Sequence, residues 1–246
     1  ETLEKYIDEK TKVLIINSPN NPCGSVYSKQ DLEQIAELAV KNNLFVISDE
    51  IYDKLIYDGL KHVSIATYEN MLERTLLING VSKSFAMTGW RIGFAAGPKQ
   101  LIEAMENFQS HSTSNPNSIA QKASIEALTN LAKKDETISK MVDEFSERRT
   151  YMVKRINKMK NLSCNLPKGA FYVFMNISGT FNKQYDGRII NNSTDFAEIL
   201  LEKYNVAVVP GIAFGADDYI RLSYATSMEN IEKGLNQIEE FVEALK

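Results

Sequence analysis

Three short apolar runs with even spacing constrain the fold of this chain more than any other feature. The runs begin at Val13, Leu44 and Thr75, so each start lies 31 positions after the one before it. This distance suits a strand, a crossover and the next parallel strand. The runs are continuously apolar, which is typical of strands covered on both faces. This pattern therefore predicts that the first half of the chain folds as a three-layer α/β domain.

The two crossovers between these runs differ in character. In the first, Ser28 can cap a helix, Asp31 stands three positions later, and apolar residues follow at helical spacing. The second crossover is polar and contains Gly59, so we expect it to be irregular, with one short helix at most. A further apolar stretch at Ile92–Ala96 can add another strand.

The second half of the chain alternates helices with short strands. Apolar residues recur at helical intervals from Ile138 to Met159, the strongest helical pattern in the sequence. Residues 179–192 are polar and predict a surface excursion. We place the division on the long helix, so that residues 1–145 form one domain and residues 146–246 a smaller α+β domain. The elements predicted beyond the long helix are strands at Phe171–Met175, Val206–Val209 and Tyr219–Ser223, and helices at Asp195–Tyr204 and from Ser227.

Composition and charge argue against several classes of function. The chain has 28 Lys and Arg against 32 Asp and Glu, a net charge of −4, which does not favour binding to nucleic acid or to an anionic membrane. Its apolar runs are far shorter than the ~18 residues of a membrane span, and it begins without a signal-peptide pattern, so we expect a cytoplasmic protein. The only cysteines, Cys23 and Cys164, and the two histidines lack metal-ligand spacing, so no metal site is expected.

Polar residues gather after each predicted strand of the first half. Asn21 follows the first strand, Asp49 ends the second and precedes Tyr52, and the third leads to Lys83 and Arg91. Ligands of open parallel sheets bind beyond the carboxyl ends of the strands. An amide, a carboxylate, a phenol, an amine and a guanidinium at one edge suit an anionic cofactor that forms a Schiff base. Each residue alone has an ordinary structural explanation, so the prediction rests on their convergence.

Four ordered motifs resemble segments of the class I and II aminotransferases, which are pyridoxal phosphate enzymes of fold type I. NSPNNPCG at 17–24 is similar to the family's Asn-Pro-Thr-Gly loop, and SDEIY at 48–52 to its Asp-Glu-x-Tyr. SKSFAMTGWRIG at 82–93 resembles its lysine segment, and YIRLSYA at 219–225 its substrate-arginine strand. Such an ordered match along the whole chain is specific.

The resemblance implies both a fold and an activity. The fold is α/β, with part of a mainly parallel sheet between helices and a smaller α+β domain at the C-terminal end. The activity is transfer of an amino group from an L-amino acid, most readily of the aspartate or aromatic type, to a 2-oxo acid. The cofactor implied is pyridoxal 5′-phosphate, and the assembly implied is a homodimer.

The resemblance also implies roles at the cofactor. Lys83 would form the Schiff base with the cofactor aldehyde and then move the proton of the substrate α-carbon. Asp49 would pair with the pyridine nitrogen and keep it protonated. Asn21 and Tyr52 would hydrogen-bond the phenolic oxygen of the ring, and Arg91 would clamp the phosphate.

Two further positions complete the implied site. Arg221 would bind the substrate carboxylate bidentately, a task for which Lys is a poor substitute, and Asn21 would join it in binding substrate. Ser82 could donate to the cofactor phosphate. Many relatives place that hydroxyl three positions before the lysine, however, where this chain has Gly80.

The sequence leaves alternatives to an aminotransferase open. Lyases and decarboxylases of the same fold use an equivalent lysine and aspartate, and the fold also serves in non-catalytic binding modules. Relatives carry a further segment before the NSPNNPCG loop. We therefore expect this chain to be the C-terminal portion of a longer protein, and an isolated portion to lack a complete active site.

Overall fold

The computed structural model describes residues 2–246, apart from the side chains of residues 131–134. The chain divides into two compact units. The first unit comprises Glu1–Asn20 and Ser25–Lys140, and the second comprises Asn21–Gly24 and Met141–Lys246. The division thus falls within a helix, and a four-residue loop segment groups with the later part of the chain. The assignment of domains to residues 1–145 and 146–246 stays a prediction.

A four-stranded sheet forms the centre of the first unit. Its strands follow in the order β1 (Val13–Asn17), β2 (Phe45–Asp49), β3 (Thr75–Gly80) and β4 (Gly93–Ala96). The first three strands are parallel to one another, and β4 runs antiparallel to β3. The three evenly spaced strands predicted from the sequence are therefore confirmed. Because parallel strands bring their carboxyl ends to one edge, Asn17 of β1 lies opposite Asp49 of β2.

Helix α1 (Lys29–Lys41) forms the first crossover and begins at a capping box, as predicted. The Ser28 hydroxyl accepts a hydrogen bond from the Asp31 backbone N–H at 3.1 Å, and the Asp31 carboxylate accepts one from the Ser28 N–H at 2.8 Å. Both bonds satisfy N–H groups that the helix itself cannot pair. The core cluster that involves this helix contains Ile16, Leu32, Ala36, Ala39, Leu44, Val46, Ile65 and Met71.

The rest of the first unit is helical or irregular. The second crossover contains two single-turn 3₁₀ helices, Ile65–Thr67 and Leu72–Arg74. After β4 come α2 (Lys99–Ser112), α3 (Ser118–Thr129) and the start of α4 (Leu131–Ile156). None of the residues of α2, all of which the structure describes, is buried.

A small antiparallel sheet and three helices form the second unit. The strands are β5 (Ser163–Cys164), β6 (Tyr172–Asn176), β7 (Gln184–Tyr185), β8 (Arg188–Ile189), β9 (Val209–Pro210) and β10 (Tyr219–Ser223). The sheet has the order β5-β6-β10-β9, and β7 and β8 pair separately as a hairpin. The rest of α4, α5 (Ser193–Tyr204) and α6 (Met228–Glu243) complete the unit.

The two faces of this small sheet differ because side chains alternate along each strand. One face is apolar and buried, with Val173, Met175, Ile220 and Leu222. The other face carries three aromatic residues, Tyr172, Phe174 and Tyr219, together with Arg221. The position of Arg221 away from the apolar face agrees with the alternation in its sequence.

One strand expected in the second unit is misplaced. The strand predicted at Val206–Val209 is reduced to Val209–Pro210, which pairs with β10 at the edge of the sheet. Proline has no N–H for a further ladder bond, which suits such a short edge strand. The predicted surface excursion at residues 179–192 is mostly exposed or half-buried, and it contains the β7–β8 hairpin and the fully buried Ile190. No helix within residues 2–246 is long and apolar enough to span a membrane.

Candidate active site

Asp49 ends β2 with its backbone and its carboxylate both fixed. Its carbonyl oxygen accepts hydrogen bonds from the Ser18 N–H at 3.2 Å and from the Asn17 side-chain amide at 3.0 Å. Its Oδ1 accepts a bond from the Ile51 N–H at 3.1 Å. The carboxylate is half-buried, so the end of the strand presents a negative charge in a defined position.

Tyr52 and Lys83 come together in the first unit from the segments that follow β2 and β3. Tyr52 is only 3% exposed, and the Lys83 Nζ lies 5.9 Å from the centroid of its ring, within the range of a cation–π contact. The Ser84 hydroxyl donates to the Asp53 carboxylate at 3.3 Å, which ties the two segments to each other. The structure thus places the Lys83 amine near the Tyr52 ring, and both residues were predicted from sequence to contact the cofactor.

Arg91 and Ser82 lie between β3 and β4. Arg91 has a left-handed backbone with φ of 55°, is exposed, and donates from Nη1 to the Thr88 carbonyl at 2.9 Å. Ser82 is half-buried. A Cβ at Gly80 would lie 2.9 Å from the Ile92 carbonyl oxygen, so a serine there would require the backbone to shift.

A second carboxylate, that of Glu50, is buried beside Asp49 in the chain. It is 4% exposed, and its Oε1 accepts bonds from the hydroxyls of Ser48 at 3.0 Å and Ser64 at 2.6 Å. Its Oε2 lies 2.6 Å from Nε2 of His62. Burial alone would raise the pKa of Glu50, but the hydrogen bonds from His62 and Ser64 outweigh it and hold the pKa below its usual value.

Arg221 is the charged group of the aromatic face in the second unit. Its Nη1 donates to the Asn21 Oδ1 at 2.8 Å, so the two residues assigned to substrate binding are in direct contact. The guanidinium carbon lies 4.5 Å from the ring centroid of Tyr172 and 5.1 Å from that of Phe214. The hydrogen bond and the two rings together fix a side chain that is otherwise long and flexible.

The loop segment Asn21–Gly24 is held against the chain before β6. Gly24 has φ of 67°, and a Cβ on it would lie 2.5 Å from Cβ of Pro167. Its carbonyl accepts bonds from the two N–H groups that follow Pro167, at 2.8 and 2.9 Å. Arg149, 2% exposed, donates from Nη1 to the Pro167 carbonyl at 2.7 Å. A buried guanidinium of α4 therefore supports the turn on which the loop segment rests.

Comparison with known proteins assigns the family. The family model of aminotransferase class I and II matches residues 1–238. The aspartate aminotransferase of Pyrococcus abyssi is 45% identical over 248 residues, which cover 100% of this chain and 61% of that protein. The aromatic-amino-acid aminotransferase 2 of Thermococcus litoralis is 42% identical, with 100% and 61% covered. The chain belongs to the class I and II aminotransferases.

Structural comparison agrees with this assignment. The crystal structure of the aspartate aminotransferase from Rhizobium meliloti matches with a TM-score of 0.94 and 39% identity, over 99% of this chain and 61% of that one. The resemblance inferred from the four motifs and the fold that it implies are therefore confirmed. This aminotransferase chain spans 61% of the length of all three relatives.

The structure of the aminotransferase chain brings together two pairs of the predicted site residues. Tyr52 and Lys83 meet in the first unit, and Asn21 and Arg221 meet in the second. Sequence reasoning assigned no role to the two rings and the buried arginine that support the Asn21–Arg221 pair, nor to the buried contact of Glu50 with His62. The signals that were available are weak, such as one histidine in a polar crossover and aromatic residues at alternate strand positions. The residues missed are Glu50, His62, Arg149, Tyr172 and Phe214. Among the described residues, no group of three or more His, Cys, Asp or Glu side chains could hold a metal ion.

Proposed function

We propose that this protein transfers an amino group from an L-amino acid to a 2-oxo acid with pyridoxal 5′-phosphate as cofactor. The observation that carries the proposal is the half-buried Lys83 amine 5.9 Å from the ring centroid of the buried Tyr52. Both residues lie beyond the carboxyl ends of parallel strands, of which β2 ends in Asp49. Donors of the aspartate or aromatic type are favoured because the relatives at 42–45% identity bear those names.

The chemistry of the first unit's side chains fits pyridoxal phosphate. An amine suits the aldehyde, a fixed carboxylate suits a protonated ring nitrogen, and a phenol suits the oxygen on the ring. A guanidinium and a hydroxyl suit the phosphate. When bound, the cofactor supplies an aldehyde that exchanges amines and a cationic ring that withdraws electrons. The residues of the first unit that would hold it are Asp49, Tyr52, Ser82, Lys83 and Arg91.

Lys83 and Asp49 have complementary tasks in this proposal. The Lys83 amine would hold the cofactor and, once displaced by the substrate amine, would move the proton between the substrate α-carbon and the C4′ carbon of the cofactor. The Asp49 carboxylate keeps the ring nitrogen protonated. Its bond from the Ile51 N–H keeps it oriented without a rearrangement during the reaction.

Arg221 and Asn21 select the substrate. The guanidinium presents parallel N–H groups to the α-carboxylate, and Asn21 orients it through the bond to Nη1. We further propose that the protein works as a homodimer in the cytoplasm. Support for the dimer comes from large apolar side chains of α2 and α3 that face water in the single chain, among them Phe108 at 76% and Ile119 at 71% exposure.

Trapping the cofactor tests the proposal directly. The protein is incubated with pyridoxal phosphate and reduced with borohydride, and the modified peptide is identified by mass spectrometry. We expect one adduct on Lys83, none in Lys83→Ala, and an unchanged adduct in the control Lys54→Ala, since Lys54 is an exposed lysine of the same unit. The absorbance of the bound cofactor should change on adding glutamate and return on adding 2-oxoglutarate. An adduct that persists in Lys83→Ala would overturn the proposal.

A further inference from the structure

We propose that Tyr172 and Phe214 are positioning residues that clamp the Arg221 guanidinium and set the orientation in which it binds a carboxylate. The inference rests on the proposed function and deepens it. It concerns how the substrate-binding arginine is prepared before the substrate arrives. The residues that carry it all belong to the second unit.

The two rings lie over the guanidinium from different elements. Tyr172 is on β6, where it pairs with Ser223 and is thus a diagonal neighbour of Arg221 on the same face of the sheet. Phe214 ends the 3₁₀ helix Gly211–Phe214 that precedes β10. Their centroids lie 4.5 and 5.1 Å from the guanidinium carbon, well inside the ~6 Å at which a cation is attracted to a ring face.

Phe214 is itself held in place by its surroundings. Its ring meets Phe174 edge to face at 6.0 Å and 89°, and Phe174 stacks on Tyr219 at 4.7 Å and 11°. The turn that carries Phe214 is tightly closed, because a Cβ on Gly211 would lie 2.1 Å from the Ala216 carbonyl oxygen. The clamp is therefore part of a packed aromatic face rather than a chance contact of two mobile rings.

The shape of a guanidinium makes such a clamp effective. Arginine is planar, so aromatic rings contact its faces and leave its N–H edges for hydrogen bonds. One of these N–H groups already donates to Asn21 at 2.8 Å. The two rings and the bond to Asn21 together hold the Arg221 guanidinium in one orientation. Bidentate binding of a carboxylate requires such a fixed orientation. Preorganisation of this kind improves affinity because less freedom is lost on binding.

Variants that remove each ring face test the clamp. The dissociation constant of 2-oxoglutarate for the cofactor-loaded protein is measured by calorimetry in Tyr172→Leu, Phe214→Leu and Arg221→Lys. We expect each leucine variant to raise the constant by about 3- to 30-fold, as for loss of a partly desolvated cation–π contact. Tyr172→Phe keeps the ring face and should stay within about twofold of the unmodified protein, because the face rather than the hydroxyl makes the contact. Circular dichroism verifies that each variant is folded.

Two controls separate positioning from general damage to the sheet. Val173→Ala alters the same sheet on its buried apolar face, opposite to the aromatic face, and it should leave the affinity near that of the unmodified protein. Combining Phe214→Leu with Arg221→Lys should weaken binding no more than Arg221→Lys alone, since a clamp without its arginine has nothing to orient. The leucine variants should also lower kcat/KM for an amino acid more than for the decarboxylated amine, which has no carboxylate.

The possible results distinguish the clamp from the proposed function. If Arg221→Lys weakens binding while both leucine variants bind normally, the clamp is overturned and the role of Arg221 stands. The clamp is also overturned if Val173→Ala raises the dissociation constant as much as Phe214→Leu does. If Arg221→Lys binds normally, or if the unmodified protein does not bind 2-oxoglutarate, the proposed carboxylate role of Arg221 fails and the clamp fails with it.

Discussion

Glu50 carries a charge inside the first unit that local hydrogen bonds stabilise. Its pKa is lowered because the bonds from His62 and Ser64 outweigh the effect of burial. A carboxyl whose folded-state pKa is depressed contributes stability above its unfolded-state pKa, about 4.3. That contribution is lost as the pH falls through the lower folded-state value.

We expect Glu50→Gln to lower the free energy of unfolding by about 1–3 kcal/mol at pH 7, since it weakens buried hydrogen bonds to a charged group. The loss should be smaller at pH 3, where part of the stabilisation by the carboxylate has already gone. Urea denaturation at the two pH values measures this difference. The exposed Glu73 offers a control, Glu73→Gln. An equal loss for Glu50→Gln at both pH values would contradict the explanation.

Gly24 has a left-handed backbone and also lies close to Pro167. Gly59 has the same backbone conformation without such a contact, so comparing the two glycines separates the cost of the backbone from the cost of the contact. Both have positive φ, 67° and 71°, but a Cβ at Gly24 would meet Pro167 at 2.5 Å, whereas a Cβ at Gly59 would have no atom of another residue within 4 Å. Gly59→Ala should cost about 1 kcal/mol from the backbone alone. Gly24→Ala should cost about 1–3 kcal/mol more from overpacking. The urea midpoints of the two variants measure these losses of stability. Equal losses would show that the chain at Pro167 moves to accept the added Cβ at little cost.

Some residues of the candidate site could be predicted from sequence and others could not. Lys83 and Arg221 stand in ordered motifs, so their chemistry and their neighbours along the chain identify them together. Phe214 and Tyr172 could not be assigned, because contact with Arg221 depends on the pairing of β6 with β10 and on a turn that precedes β10. No hairpin turn joins β6 to β10, so their register follows from which face of each strand is buried in the folded unit.

At the scale of elements, the start of α1 offers a direct test of the capping box. The Ser28 hydroxyl accepts from the Asp31 N–H at 3.1 Å, so Ser28→Ala should lower the free energy of unfolding by about 1 kcal/mol. Ser110 within α2 gives a matched control, because its hydroxyl only donates to the Asn107 carbonyl one turn back and alanine is a better helix former. Urea unfolding of both variants makes the comparison. Equal effects would mean that the cap contributes nothing.

The elements confirmed from sequence are those with a strong periodic or spacing signal. The spacing of β1, β2 and β3 is such a signal, because each crossover has a similar length. The expectation that these strands are covered on both faces is not met in this chain, since Val13 and Ile15 of β1 are 46% and 69% exposed. The two-residue strand β9 has no such signal, since its extent is limited by Pro210 and by its place at the sheet edge. The hairpin of β7 and β8 could not be predicted from sequence either, because its polar composition resembles that of a surface loop.

At the scale of the whole molecule, the proposed homodimer predicts an effect of changing Phe108. This side chain is 76% exposed on α2, and burying a large ring is a common source of subunit affinity. We expect Phe108→Ser to weaken self-association by about tenfold or more, measured as a concentration-dependent mass by light scattering. Leu60→Ser, at a leucine 46% exposed elsewhere in the first unit, should leave the mass unchanged. A dimer of full strength in Phe108→Ser would place the subunit contact elsewhere.

The grouping of Asn21–Gly24 with the second unit has a consequence for biosynthesis. Arg221 bonds Asn21 across 200 positions of sequence. At the ~5–20 residues per second of translation, about 10–40 s separate the synthesis of the two. During that interval Asn21 is already made, whereas Arg221, which donates to its side chain, is not. The sequence of the loop segment, NPCG within the polar stretch NSPNNPCG, offers little apolar surface to a chaperone or to another nascent chain, and so suits a segment that stays in water until the strand with Arg221 is made.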